Sequence, residues 1–213
     1  MFEMESLNYM HNFAQTKLKI NNLDDPFFPT KGIFVELAYK SLFNAQMSER
    51  IDDLYTQGFS PTNQIIKLNY QQYIRIKRKF SIMPQISIGV MENKSFLAQE
   101  FFIGGNNYQL SSNSLNMSGI KANNIIADNY IKIGLSAQLQ VFDHWYLQYG
   151  QEALGFIDYQ QVYSENEIIE GKSVTGWYCG LGISSRVGPI RLICSGSYEY
   201  TGLSWSLNLG IPF

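Results

Sequence analysis

The chain has 213 residues and a formal net charge of −2, with 16% charged and 15% aromatic residues and a mean hydropathy of −0.15. The near-neutral balance argues against a nucleic-acid binder, which needs a basic surface to neutralise phosphates; an apolar content of 45% argues against disorder; two cysteines make neither a disulfide scaffold nor a metal cluster. No run nears the ~18 apolar residues of a membrane helix, and the first ten residues carry Glu3 and Glu5 and lack the apolar stretch of a signal peptide.

Alternation of apolar and polar residues predicts strands from one end to the other, because successive side chains of a strand point to opposite faces. The first is a weak one at 13–22. A turn-rich joint at 21–32 leads to a second at 33–43, and a long connection, 44–63, follows. In 64–77, Ile66, Leu68, Tyr70, Ile74 and Ile76 oppose Lys67, Asn69, Gln71, Arg75 and Lys77. After a short turn at 77–79, Phe80, Ile82, Pro84, Ile86, Ile88 and Val90 oppose Ser81, Gln85, Ser87 and Gly89. A long loop over about 92–128 precedes 130–142, where Ile131, Ile133, Leu135, Leu139 and Val141 oppose Lys132, Gly134, Ser136, Gln138 and Gln140. Strands at 145–157, 175–187 and 189–199 follow. In the last, 203–213, Leu203, Trp205, Leu207, Leu209, Ile211 and Phe213 share one face. The count is about nine strands, with no amphipathic helix competing.

Two architectures fit such strands. A soluble sandwich puts the apolar face inside; a transmembrane barrel turns it to lipid and keeps small and polar residues in the lumen. Strands of about 11–13 residues exceed the usual 5–6 of soluble sheets and suit a membrane crossing of roughly 9–11. Gly, Ser, Gln and Asn on the polar face suit a wet lumen. Phe80, Trp145, Tyr146, Trp177, Tyr178 and Phe213 lie near strand ends, where an interfacial girdle is expected. Connections alternate short and long, as periplasmic turns and outer loops do; only the hairpin at 200–202 departs. The acidic loop with Glu165, Glu167 and Glu170 then lies outside. A soluble all-β binding module is the competing reading.

Catalytic signals are sparse. No Gly-x-Ser-x-Gly elbow, zinc-binding His-Glu-x-x-His or P-loop occurs, and no metal or cofactor is implied. The histidines are His11 and His144, the second in a short turn where a solvated role fits best. Arg75, Lys77, Arg78 and Lys79 fit a solvated turn or contact with lipid phosphates. With a turn near Gly188 and Pro189, Cys194 is expected to face about Ile183 rather than Cys179, which leaves two reduced apolar thiols.

Three landmarks carry a resemblance. NNLDDPFFPTKG at 21–32, before the strand IFVELAYKS, resembles the Asp-x-x-x-Phe-Pro-Thr-x-Gly hairpin of the sixteen-stranded barrels of the bacterial surface antigen superfamily, which includes outer-membrane assembly factors and two-partner secretion transporters. FFIGGNN at 101–107 is similar to the Phe-x-x-Gly-Gly start of the loop that folds back into those lumens. VGPIRLICSGSYEY and the strand after it resemble the family's Gly-Pro strand and C-terminal aromatic β-signal. The landmarks stand in family order and span nearly the whole chain.

The resemblance implies an all-β, antiparallel transmembrane β-barrel, of which residues 1–213 are about nine C-terminal strands of sixteen. It implies a periplasmic hairpin shaped by Asp25, Phe28, Pro29 and Gly32. It gives Gly104 and Gly105 as the bends of the luminal loop and Gly119 as its tip. Trp205, Leu207, Leu209 and Phe213 form the assembly signal. The family's loop Val-Arg-Gly-Phe/Tyr becomes Met117-Ser118-Gly119-Ile120, without the Arg that pairs with an acidic lumen residue. That departure is most like the barrel of patatin-like phospholipases, whose hydrolase lies upstream. The expected role is a membrane anchor or a translocation or assembly pore with no catalysis in this chain; the alternative is the anchor of such a hydrolase. The partners implied are outer-membrane lipids, the outer-membrane assembly machinery, and upstream strands of the same protein or another chain.

Overall fold

The computed structural model describes residues 4–51, 54–60, 63–92, 101–105, 114–121, 124–161, 173–186, 188–199 and 201–210. They form one twelve-stranded sheet. In chain order the strands are β1 (Met4–Asn21), β2 (Gly32–Ile51), β3 (Leu54–Ser60), β4 (Asn63–Lys77), β5 (Phe80–Glu92), β6 (Phe101–Ile103), β7 (Ser114–Leu115), β8 (Ile125–Phe142), β9 (Trp145–Gln161), β10 (Ser173–Ser185), β11 (Gly188–Ser197) and β12 (Leu203–Leu209). The main path runs β1-β2-β4-β5-β8-β9-β10-β11-β12, each strand antiparallel to the next. Nine strands are what alternation predicts.

The faces sort as a membrane barrel requires. On β8, Ile131, Ile133, Leu135 and Leu139 are exposed, whereas Lys132 and Gln138 between them are buried. Leu147 and Tyr149 of β9, Leu181 of β10, Leu192 of β11 and Leu203, Trp205, Leu207 and Leu209 of β12 continue that outward apolar face. A continuous exposed apolar face has lipid, not water, as its solvent. No helix among the described residues is long and apolar enough to cross a membrane.

The core lies on the inner face. Phe101, Ile103, Leu115, Met117 and Ile120 come from the β5–β8 connection. They pack against Ile65, Met91, Ile125, Ala127, Tyr130, Leu154, Phe156 and Val174 of the wall. The wall has polar residues inward over its other half, so the loop supplies the apolar surface that makes a core possible.

Three expectations are corrected. Residues 44–51 and 54–60 are strand, not loop: β3 continues the register that β4 holds against β2, pairing Ala45 with Ser60 through Ile51 with Leu54, and β2 extends well beyond the predicted strand. Tyr146 and Tyr178 do not join the girdle. Each follows a tryptophan, and period two sends neighbours to opposite faces, so both tyrosines face inward, Tyr146 against Phe28 and Tyr178 into the lumen cavity. Finally, Ser185 pairs with Gly188, which sets Cys179 directly opposite Cys194. A turn at 188–189 would set Cys194 opposite about Ile183, four residues along β10 from its actual partner.

Candidate functional site

Two inserts occupy the concave face. The first comprises residues 101–105 and 114–121. β6 pairs with β8 antiparallel and with β7 in parallel, and Phe101 meets Tyr130 edge to face at 4.9 Å. Gly104 (φ 132°) and Gly105 (φ 83°) take backbone conformations that favour glycine. The Gly104 amide donates to Leu115 O at 3.0 Å and the Gly105 amide to Ile120 O at 2.8 Å. Gly119 (φ 78°) sits so close to β11 that a Cβ there would lie 2.1 Å from the Gly196 carbonyl carbon. Its amide donates to Ser195 Oγ at 3.2 Å. On β10, a Cβ at Gly176 would meet Ser118 O at 2.2 Å. The tip therefore rests in a notch made of two wall glycines.

A buried ion pair holds that tip. Lys132 of β8 and Glu152 of β9 pair at 3.0 Å, with side chains 8% and 7% exposed. Glu152 also accepts from the Ser118 amide at 3.0 Å and from Gln85 at 2.8 Å. Lys132 donates to Asn116 O at 2.9 Å. The loop lacks arginine, and the cation beside the luminal carboxylate comes from the wall. Alternation places Lys132 and Glu152 on the inner faces of neighbouring strands; that signal was available in the sequence, and both were missed as site residues.

The second insert is the turn 22–31. The Asp25 carboxylate accepts from the amides of Phe27 and Phe28, each at 2.7 Å, and so bends the chain inward. Phe28 is 1% exposed and stacks on Tyr146 at 4.2 Å. The Arg191 guanidinium lies over the Phe28 ring, 4.9 Å from its centroid, and donates to Phe27 O. Gln138 donates to Phe28 O at 3.4 Å and Pro29 O at 3.3 Å. A Cβ at Gly182 would meet the Phe28 ring at 2.4 Å, so that glycine leaves the seat. Gly32 (φ 123°) turns the chain back into β2, against the Asn22 carbonyl. Asp24 accepts from the Thr30 amide at 2.8 Å, the Lys31 amide at 3.0 Å and Arg75 at 2.8 Å. Burial alone would raise its carboxyl; these donors outweigh burial and hold it below the ordinary value.

Between the inserts lies a polar cavity of about 280 Å³, bounded by Phe27 and Pro29 on one side and Gly105, Asn116 and Ser118 on the other. No group of three or more His, Cys, Asp or Glu among the described residues is placed to hold a metal ion. Trp205, Leu207 and Leu209 are exposed on the outward face of β12; Phe213 lies outside the described residues, as do Glu165, Glu167 and Glu170. His144 is an exposed turn residue with φ 69°.

The geometry is that of a barrel wall with a loop returned into its lumen, and known proteins agree. The fold resembles the crystal structure of BamA from Haemophilus ducreyi lacking POTRA domains 1–3, with a TM-score of 0.60 and 12% identity. The match covers 92% of this chain and 42% of that one, so the chain spans less than half of that protein's length. No curated protein matches. The family model of the OMP85 superfamily matches residues 1–213. That agrees with the surface-antigen resemblance of the three landmarks: the chain belongs to the OMP85 superfamily.

Proposed function

We propose that residues 1–213 act as one partial-barrel domain of an outer-membrane assembly or translocation protein, closed at rest by two inserts. Superfamily membership makes it an outer-membrane protein of a Gram-negative bacterium. The observation that carries the reading is the double closure: the tip at 116–119 held by Lys132 and Glu152, and Phe28 seated on Tyr146 and Arg191. An inert anchor has no need of a polar lumen closed at both ends by separate, docked segments.

In this reading Gly104 and Gly105 are the bends of the outer insert and Gly119 its tip. Asp25, Phe28, Pro29 and Gly32 shape the periplasmic one. Trp205, Leu207, Leu209 and Phe213 are the signal read by the assembly machinery. Lipids bathe the outward face, and further strands flank β1 and β12. Anchoring an upstream patatin-like hydrolase rests on the loop sequence alone, and neither comparison supports it.

Conductance of the full-length protein in planar bilayers tests the closure. The wild-type protein should show small, infrequent openings. Phe28→Ala should raise the open time, and Phe28→Ala combined with Glu152→Gln should raise it further. A large, steady wild-type conductance, or variants that leave it unchanged, would refute the plugged barrel.

A further inference from the structure

The chain has two cysteines, and they are direct partners across β10 and β11. The ladder runs unbroken from Gly176 opposite Ser197 to Ser185 opposite Gly188, so no bulge disturbs the match. A strand residue has at most two direct cross-strand neighbours, and two cysteines placed at random among 213 positions would land together roughly once in a hundred times. Both are free thiols, in an outward apolar groove with Leu147, Leu181, Leu192 and Trp205. A groove of this kind accounts for a small apolar side chain at each position; it does not account for sulfur at both. Directly opposite residues of an antiparallel pair have Cα atoms about 4.5 or 5.5 Å apart, and both separations fall within the span a disulfide bridges.

We propose that Cys179 and Cys194 form a disulfide that fixes the register of the β10–β11 hairpin before the barrel enters the membrane. The proposal rests on the outer-membrane placement, since such a protein crosses the oxidising periplasm. The oxidant is a periplasmic protein disulfide. One cysteine, as thiolate, attacks that disulfide and forms a mixed disulfide; the second displaces the oxidant's remaining sulfur. The Cys179–Cys194 S–S bond forms and the oxidant's S–S bond breaks. Two electrons pass to the oxidant, and the two thiol protons end on its reduced cysteines. The pair faces lipid midway along its strands, out of reach of a protein oxidant once the barrel is inserted, so closure belongs to the unfolded or hairpin stage. The two cysteines are only 15 positions apart in sequence, local enough for that. A bridge at this position permits one register only, and a slip of a single residue would turn the lipid face of β11 into the lumen.

The test uses the full-length protein taken from outer membranes, denatured in acid and alkylated with N-ethylmaleimide before and after reduction, with peptide mass spectrometry. Alkylation of the Cys179 and Cys194 peptides should rise about tenfold or more on reduction, and a linked Cys179–Cys194 peptide should disappear. In cells lacking the periplasmic dithiol oxidant, both should alkylate without reductant. Cys179→Ala should leave Cys194 fully alkylated, as a control that the reagent reaches the site. Full alkylation of both cysteines in unreduced wild-type protein from the outer membrane would overturn the bridge. Recovery of the protein outside that membrane would instead overturn the placement it rests on.

Discussion

Lys132 and Glu152 carry charge with almost no water around it. Moving such ions out of water costs several kcal/mol each, and their attraction with added hydrogen bonds offsets that; removing one partner strands the other at a cost of about 3–5 kcal/mol. Glu152→Gln and Lys132→Met should each destabilise the full-length barrel on that scale, while the double variant should cost less than the two combined. The urea dependence of heat-modifiable gel mobility measures all three, and costs that simply add would mean that the two charges do not act as a pair. Asp24 presents a weaker and exposed case. Its carboxyl is held low in the folded turn, so its stabilising effect is complete above the ordinary value of 3.8 and disappears as pH falls through the folded value. The effect is about 0.2–1 kcal/mol for a pair this exposed. Asp24→Asn should flatten that acid step in the urea midpoint between about pH 5 and pH 2; an undiminished step would place it elsewhere in the chain.

At the level of single strands, alternation was legible because its period is two and one face meets lipid. That is why the expected ranges of β4 and β5 match the observed ones to within a residue, whereas β8 starts at Ile125, five residues before the expected strand. The same rule separates Trp145 from Tyr146 and Trp177 from Tyr178, and the tyrosines were misplaced only where nearness to a strand end was weighed above it. What alternation does not contain is register. Gly188 and Pro189, which mark a turn to the eye, are already the first residues of β11 and pair with Ser185 and Ser184, so the pairing expected for Cys194 is wrong. Nor does it contain long-range docking: nothing beside Phe28 in sequence indicates Gly182, a strand far away, as the residue that leaves room for it. The face assignment itself can be tested on β8. Leu135→Arg would put a cation against lipid and should cost about 2–4 kcal/mol if it lies near the bilayer midplane. Ser136→Arg, one residue on and lining the polar cavity, should cost less. Unfolding in urea from lipid vesicles reports both; equal costs would deny that the two faces see different solvents.

For the molecule as a whole the decisive fact is that the sheet has ends. Among the described residues β1 pairs only with β2, and β12 only with β11. In hydrocarbon every unpaired backbone group costs several kcal/mol, so both edges need partners. Closing β1 on β12 would satisfy them, but a barrel of eight or nine strands has an interior just wide enough for its own side chains. Here the interior holds backbone from 22–31 and from 101–105 and 114–121, with a cavity between them, and a nine-strand ring has no space for both. In the proposed reading the edges are met by additional strands flanking β1 and β12. Residues 1–213 refolded alone in detergent should give no heat-modifiable, urea-resistant monomer, whereas the full-length protein should. A compact monomer from residues 1–213 would require β1 and β12 to close on each other. The loop would then have to leave the lumen, and Ser118→Cys, protected from an impermeant thiol reagent in the full-length protein, would label freely in the short one.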